Sequence, residues 1–419
     1  MSNGPRFSRP IAFAGAPTRM SEHFIIIGAG QAACQAAASL RNEGFSGRLT
    51  LIGDELQPPY QRPPLSKKYL SAEISSDRLY LKPLAFYAKN EIELMLGVRA
   101  EKVDPSSKTV ALSSGTVLSY QKLLFATGSS PRRLAIPGAE LKGVCYMRSI
   151  SDVAAFREKL FPGARLVIVG GGYIGLEAAA ACVRLGVSVN VIEAAPKLLA
   201  RVAGPEISEF FLNIHRARGV GIRLDATVAE FFGREGRVTG IGLSGGEELA
   251  ADAVLVGIGA IPNSDLAAQA GLAVADGIVV DEHARTSDRD ILAAGDCTMH
   301  PNSIYGRTLR LESVHNAIEQ AKIAAASMNG KLLSYTQVPW FWSDQFEFKL
   351  QVSGLVQGAD ERRISGHADR SPFSVHHYRE GRLVAVEAVD AAAQFMAAKA
   401  RILADHRDLA VVAGANRTL

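Results

Sequence analysis

Cysteine is scarce and scattered in this chain of 419 residues, with only Cys34, Cys145, Cys182 and Cys297. No Cys-x-x-Cys or closer pair exists, so spacing supports neither a zinc site nor a redox-active disulfide. Reduced thiols in a cytoplasmic enzyme are the expectation. No uninterrupted apolar run approaches the roughly 18 residues of a membrane span, and residues 1–20 lack the apolar stretch of a secretory signal. Nor is there a lysine/arginine block or a nucleic-acid-binding motif. The formal charge is only +4, and half of it comes from Arg6, Arg9 and Arg19 against Glu22. Such a mildly basic balance is compatible with an acidic protein partner but does not specify one. Membrane-spanning and nucleic-acid functions are thereby set aside.

What the chain does have is two glycine-rich turns of one design, Gly28-Ala29-Gly30-Gln31-Ala32-Ala33 and Gly170-Gly171-Gly172-Tyr173-Ile174-Gly175. Each follows an apolar strand-like run, Phe24 to Ile27 and Leu166 to Val169, and opens into an alanine-rich helical stretch. The first glycine permits the tight strand-to-helix turn, and the second lets backbone N–H groups approach a pyrophosphate. The third position, Ala33 or Gly175, must be small so that helix and strand pack closely. The helix N-terminus then meets the phosphate charge. Two such turns imply two dinucleotides, as hydride transfer between cofactors requires.

A second strand, Arg48 to Gly53, completes the first βαβ unit and ends at Asp54, a carboxylate suited to an adenosine ribose. The second unit ends its strand Val187 to Ile192 at Glu193. A carboxylate there bonds the ribose 2′-OH of NAD and repels a 2′-phosphate, so NADH is favoured over NADPH. After the first unit, prolines at 58, 59, 63 and 64 are expected to hold a loop extended and to present Arg62 and Lys67 rigidly. The strands Lys122 to Phe125, before Gly128, and Ala253 to Val256, before Gly259, echo one another, so the units repeat at domain scale. Helices are expected over 31–41, 151–160, 174–185 and 316–328. The length calls for two or three domains. The reading is residues 1–21 as a flexible extension, 22–146 and 263–330 as two parts of one dinucleotide domain, 147–262 as the second, and 331–419 as an α+β cap. That cap carries Trp340 and Trp342 and strand-like alternation over 349–355, 373–378 and 382–388.

With these motifs the chain resembles the FAD-dependent ferredoxin reductases of bacterial oxygenase systems from about residue 22 to residue 400. The resemblance rests on the Gly28 turn, Arg62-Pro63-Pro64-Leu65-Ser66-Lys67, Ala126-Thr127-Gly128, Gly170 to Glu177, Gly295-Asp296-Cys297, Glu312-Ser313-Val314, and Pro339 to Gln345. It implies an α/β, glutathione-reductase-like fold: two Rossmann-like domains, an FAD domain interrupted by an NAD domain, plus an α+β C-terminal interface domain. Carried over by motif, Gly28, Gly30, Ala32 and Ala33 would meet the FAD pyrophosphate and Asp54 its adenosine ribose. Arg62, Lys67, Ala100, Gly128 and Arg148 would add contacts, Asp296 would bond the ribityl chain, and Val314 would lie near the ring. Gly170, Gly172, Tyr173, Ile174, Gly175, Glu193 and Gly259 would hold NAD(H). The extension at 1–20 and a short segment after Ala400 depart from the family pattern.

The implied activity is that of a ferredoxin–NAD(+) reductase, with NADH as donor, a 2Fe-2S ferredoxin as acceptor and a haem monooxygenase favoured over a Rieske dioxygenase beyond it. Lys67 and Glu177 are the polar groups expected beside the flavin N5, where a Lys–Glu pair could hold the ring and offset negative charge. Trp340 and Trp342 could face the partner, with Lys82, Lys322 and Lys349 as docking cations, and a monomer or weak dimer is expected. Alternatives are a redox-sensing flavoprotein of the apoptosis-inducing type, an NADH oxidase and a rubredoxin reductase.

Overall fold

The computed structural model describes residues 22–415, and their side chains as far as residue 406; the extension expected at 1–21 lies outside these residues. A five-stranded parallel sheet runs in the order Ile291–Ala293, Lys122–Phe125, His23–Ile27, Arg48–Gly53, Ile92–Leu96. The strand His23–Ile27 is flanked by Arg48–Gly53 on one side and Lys122–Phe125 on the other, so the order reverses beside its carboxyl end. That switch point is where open α/β sheets bind ligands. A second parallel sheet repeats the plan, in the order Gly221–Arg223, Ser188–Ile192, Arg165–Val169, Ala253–Val256, Val144–Tyr146.

Both sheets are buried on two faces, and their apolar strands divide by parity. Phe24, Ile26, Leu49 and Leu51 face the helices Gln31–Asn42 and Val314–Met328. Ile25, Ile27, Leu123 and Phe125 face Val103, Val110 and Leu112 of a small antiparallel sheet. In the second unit Leu166, Ile168, Val189 and Val191 meet the helix Tyr173–Arg184, while Val167, Val169, Val254 and Val256 meet Phe231, Val238 and Ile241. Each such fully buried side chain contributes about 1.5–3 kcal/mol. Alanines let the helices Gln31–Asn42 and Val314–Met328 pack closely, through Ala33, Ala36, Ala37, Ala321 and Ala324.

The strands Trp340–Gln345, Phe348–Gly354, Arg382–Val389, Arg370–Arg379 and Glu361–His367 form an antiparallel sheet. One face packs Leu350, Val352, Phe373 and Val375 on Phe210 and Phe211 of the helix Pro205–Ala217. The other is covered by Phe395, Ala398 and Ile402 of the helix Ala392–Ala415. Its first strand therefore lies against the second nucleotide unit. Among the described residues no helix is long and apolar enough to cross a membrane.

Two expectations change. The proline loop is not extended: Pro63–Ser66 forms a 3-10 turn, in which the N–H groups of Leu65 and Lys67 donate to Arg62 O and Pro64 O at 2.9 and 3.0 Å. Proline's fixed φ suits a first helical turn as well as an extended chain, and its missing N–H is not needed there. The helix expected over 151–160 is Ile150–Arg157, started by a Ser149–Asp152 capping box.

Candidate functional site

A cavity of about 1260 Å³ opens where the carboxyl ends of both parallel sheets meet the strand Trp340–Gln345. Both glycine turns line it. Gly28 has φ 121° and Gly170 φ 109°, conformations that favour glycine, and a Cβ at either would lie 2.1 Å from Ala126 O or 2.4 Å from Gly257 O. At Gly30 and Gly172, the N-caps of the two helices, a Cβ would meet nothing within 4 Å. Neither helix has a side-chain cap or an acidic residue in its first turn. The free N–H groups and positive helix ends thus face open space, the cradle that a dinucleotide pyrophosphate requires. The chain fits the two cofactors its motifs imply.

Polar groups complete the first half of the wall. Arg62 bonds Glu55 at 2.6 Å and donates to Arg148 O at 2.7 Å, while Arg148 reaches Asp296 at 3.4 Å. Asp296 also accepts from Ser129 Oγ at 3.1 Å. In the second half, Glu193 accepts from the N–H groups of Gly171 and Ala195 at 2.6 and 2.8 Å.

Where the halves meet, Lys67 Nζ lies 3.1 Å from Glu177 Oε1 and 3.5 Å from Asp344. The other Glu177 oxygen accepts from Ser66 Oγ at 2.6 Å, and Oε1 also accepts from Ser343 Oγ at 2.7 Å. Burial pushes the Glu177 carboxyl up from its ordinary value, and Lys67 and the two hydroxyls pull it back. Trp342 joins the wall, with Lys67 Nζ 5.7 Å from its ring centroid.

Of the residues the sequence singles out, Gly28, Gly30, Ala32, Asp54, Arg62, Lys67, Gly128, Arg148, Asp296 and Val314 line this cavity. So do Gly170, Gly172, Tyr173, Ile174, Glu177, Glu193 and Gly259. Ala33 and Gly175 do not; they are the small third positions, and a Cβ at Gly175 would lie 2.3 Å from Gly170 O. Ala100 lies away from the wall, at the start of the strand Ala100–Asp104, packed against the core behind the first sheet. Ser66, Ser343 and Gln345 stand in motifs that were visible, yet the bonds of the two serines to Glu177 and of Gln345 to Ser343 were not. His215, which joins them, carries no local signal.

The pyridine nucleotide-disulphide oxidoreductase model matches residues 22–321, and the reductase C-terminal model matches residues 340–417. The chain belongs to this reductase family. Rhodocoxin reductase of Rhodococcus erythropolis is 42% identical over 92% of this chain and 90% of its own length. Rubredoxin-NAD(+) reductase of Pseudomonas putida is 42% identical over 87% and 95%. The structure resembles that of putidaredoxin reductase in a covalent complex with putidaredoxin, with a TM-score of 0.89, 38% identity and coverage of 91% and 93%. The C-terminal match reaches residue 417, so the segment after Ala400 follows the family pattern rather than departing from it.

In this reductase no cysteine lines the cavity, and all four thiols are free. Burial raises the thiols of Cys34, Cys145, Cys182 and Cys297 alike, which disfavours thiolates. Among the described residues no cluster of His, Cys, Asp or Glu could hold a metal ion.

Proposed function

We propose that this reductase accepts a hydride from NADH on FAD and delivers the electrons singly to a 2Fe-2S ferredoxin that serves a bacterial oxygenase, in the cytoplasm. FAD supplies the step from two electrons to one when bound. The chain's residues position and stabilise. The N–H groups at Gly30–Ala32 and Gly172–Ile174 hold phosphates, Glu193 selects a ribose without a 2′-phosphate, and Lys67, kept in place by Glu177, offsets negative charge. No acid or base is needed for hydride transfer itself.

The observation that carries this reading is one cavity with two pyrophosphate cradles, a Lys–Glu pair where they meet, and no cysteine on its wall. Electrons then have no protein disulfide to enter and must leave the chain. Trp342, on the wall, lies 5.7 Å from the ring of half-buried Trp340, which carries Lys399 Nζ 5.4 Å from its centroid. The complex of putidaredoxin reductase with putidaredoxin supports a protein acceptor for this reading, and a haem monooxygenase is proposed over a Rieske dioxygenase beyond it. The protein is proposed to be a monomer or weak dimer.

The test is NADH-dependent reduction of a purified 2Fe-2S ferredoxin. Ferredoxin reduction well above oxygen reduction supports the reading. Slow turnover with NADH-induced dimerisation supports the redox-sensing alternative instead.

A further inference from the structure

We propose that His215, Gln345 and Ser343 form a polarised hydrogen-bond chain that keeps Glu177 ionised against Lys67, making all three positioning residues. The chain crosses three elements: His215 on the helix Pro205–Ala217, Gln345 and Ser343 on the strand Trp340–Gln345, and Glu177 on the helix Tyr173–Arg184. The separations are 3.0 Å from His215 Nε2 to Gln345 Oε1, 3.2 Å from Gln345 Nε2 to Ser343 Oγ, and 2.7 Å from Ser343 Oγ to Glu177 Oε1. His215, Gln345 and Ser343 are all 0% exposed, so bulk solvent reaches none of these bonds.

Donor and acceptor chemistry then permits two polarities. With Glu177 ionised, the Ser343 hydroxyl donates to it and accepts from the Gln345 amide N–H. The amide oxygen then accepts from Nε2–H of His215, leaving Nδ1 as a bare lone pair. With Glu177 protonated on Oε1 and donating to Ser343, the Ser343 hydroxyl turns toward the Gln345 amide nitrogen, which cannot accept, so the amide flips: its oxygen takes the Ser343 proton and its N–H turns to His215. Nε2 must accept, and the imidazole proton moves to Nδ1. His215 Nδ1 is buried without any hydrogen-bond partner. A buried N–H with no acceptor is rarer in folded proteins than a buried acceptor with no donor, which biases the ring toward the Nε2–H form. The ring of a residue that never touches Glu177 thus selects the carboxylate.

Of the other groups facing Glu177, Lys67 opposes protonation directly, and a proton on Oε2 would turn the Ser66 hydroxyl from a 2.6 Å bond to a long one of 3.4 Å with Pro63 O. Lys67 and the Ser66 hydroxyl approach from the Pro63–Ser66 turn, and Asp344 shares the Lys67 ammonium from the strand. On its own helix, Tyr173 keeps a buried hydroxyl without a partner. Burial lowers His215 to about 4, so its ring is neutral near pH 7, as the chain requires.

This inference takes the Lys67–Glu177 pair as the polar group beside the flavin, but its measurement does not depend on that placement. In the holoprotein, the infrared carbonyl stretch of protonated Glu177, assigned by its loss in Glu177→Gln, is titrated against pH. Ser343→Ala is expected to raise the midpoint by about one unit. His215→Phe is expected to raise it by less, because the amide can then turn over, and Ser343→Thr to retain the wild-type value. Unchanged midpoints in Ser343→Ala and His215→Phe, with circular dichroism like wild type, overturn the proposal. If Ser343→Ala does not fold, His215→Phe and Gln345→Leu decide by the same criterion. Raised midpoints with unaltered flavin reduction by NADH uphold the chain and overturn only the flavin-side role of Glu177.

Discussion

Glu193 accepts a hydrogen bond from the backbone N–H of Gly171 at 2.6 Å, tying the end of one strand to the glycine turn at the end of its neighbour. The residue proposed to discriminate the ribose is therefore also an anchor of the glycine turn. Glu193→Gln keeps an acceptor for the turn and removes the charge that repels a 2′-phosphate. It should shift the kcat/KM ratio toward NADPH by roughly tenfold. Glu193→Ala with Ala194→Arg removes the anchor as well, so kcat/KM for NADH should fall further, by about 1–3 kcal/mol in barrier. Steady-state kinetics with both nucleotides measure this. An unchanged ratio in Glu193→Gln would rule out the assignment.

The two kinds of turn glycine should fail differently. Gly30→Asp adds a side chain into open space, so the fold should survive. A carboxylate in the cradle then repels a pyrophosphate, and the purified protein should be colourless while wild type is yellow with one FAD per chain. Gly28→Val forces a Cβ to within 2.1 Å of Ala126 O at φ 121°, and should cost the fold itself. Flavin absorbance and circular dichroism separate the cases. A fully flavinated Gly30→Asp would show that the first turn does not hold FAD.

Both nucleotide units were legible because their signals are local: a strand, a glycine turn, an alanine helix and a terminal carboxylate lie within one short window of sequence. Lys67 and Glu177 were also legible, since each sits inside a motif. The turn at Pro63–Ser66 was misread because proline's φ serves two conformations, and only the bonds to Arg62 O and Pro64 O decide between them. His215 was invisible for another reason. Its partner Gln345 lies 130 residues away, and nothing near it in sequence distinguishes it from any other helix histidine.

Asp290 gives a pH-dependent stability. Despite burial, which pushes its carboxyl up, Lys108 and Lys122 hold it down at about 2. A folded value below the ordinary 3.8 stabilises the fold above that pH, and the contribution is lost as pH falls from about 4 to about 2. Lys108 is 44% exposed, so screening reduces the effect to about 1 kcal/mol. Asp290→Asn should lower urea-unfolding stability by this amount at pH 7 and by nearly nothing at about pH 2. A loss independent of pH would point to packing instead of charge.

The 3.1 Å contact between Lys67 and Glu177 predicts coupled kinetics. Stopped-flow flavin reduction by NADH should slow in Lys67→Ala and in Glu177→Ala. The double variant should lose less than the product of the two effects, because each single change already removes the contact they share. Full multiplicativity would show that the residues work apart.

Docking charges are the last test, and the structure ranks them. Lys322 lies on the helix with His315, whose ring is 5.4 Å from Trp340, and Lys399 Nζ is 5.4 Å from the same indole. Lys322 is partly neutralised by Glu319 at 2.7 Å. Lys349 stands opposite Asp344 across the strand pair, and Lys82 sits 5.2 Å from the ring centroid of Phe86 in the first unit. If an acidic ferredoxin docks at the Trp340 edge, Lys399→Glu and Lys322→Glu should raise its apparent KM most, by severalfold each, because rim charges are worth about 0.2–1 kcal/mol. Lys349→Glu should follow, and Lys82→Glu should matter least. Ferredoxin reduction should fall as salt shortens the screening length to about 8 Å. Ferricyanide reduction, which needs no docking surface, should barely respond to any of the four changes. Equal KM values across all four variants would remove charge from the docking step and leave shape at the Trp340 edge to orient the partner.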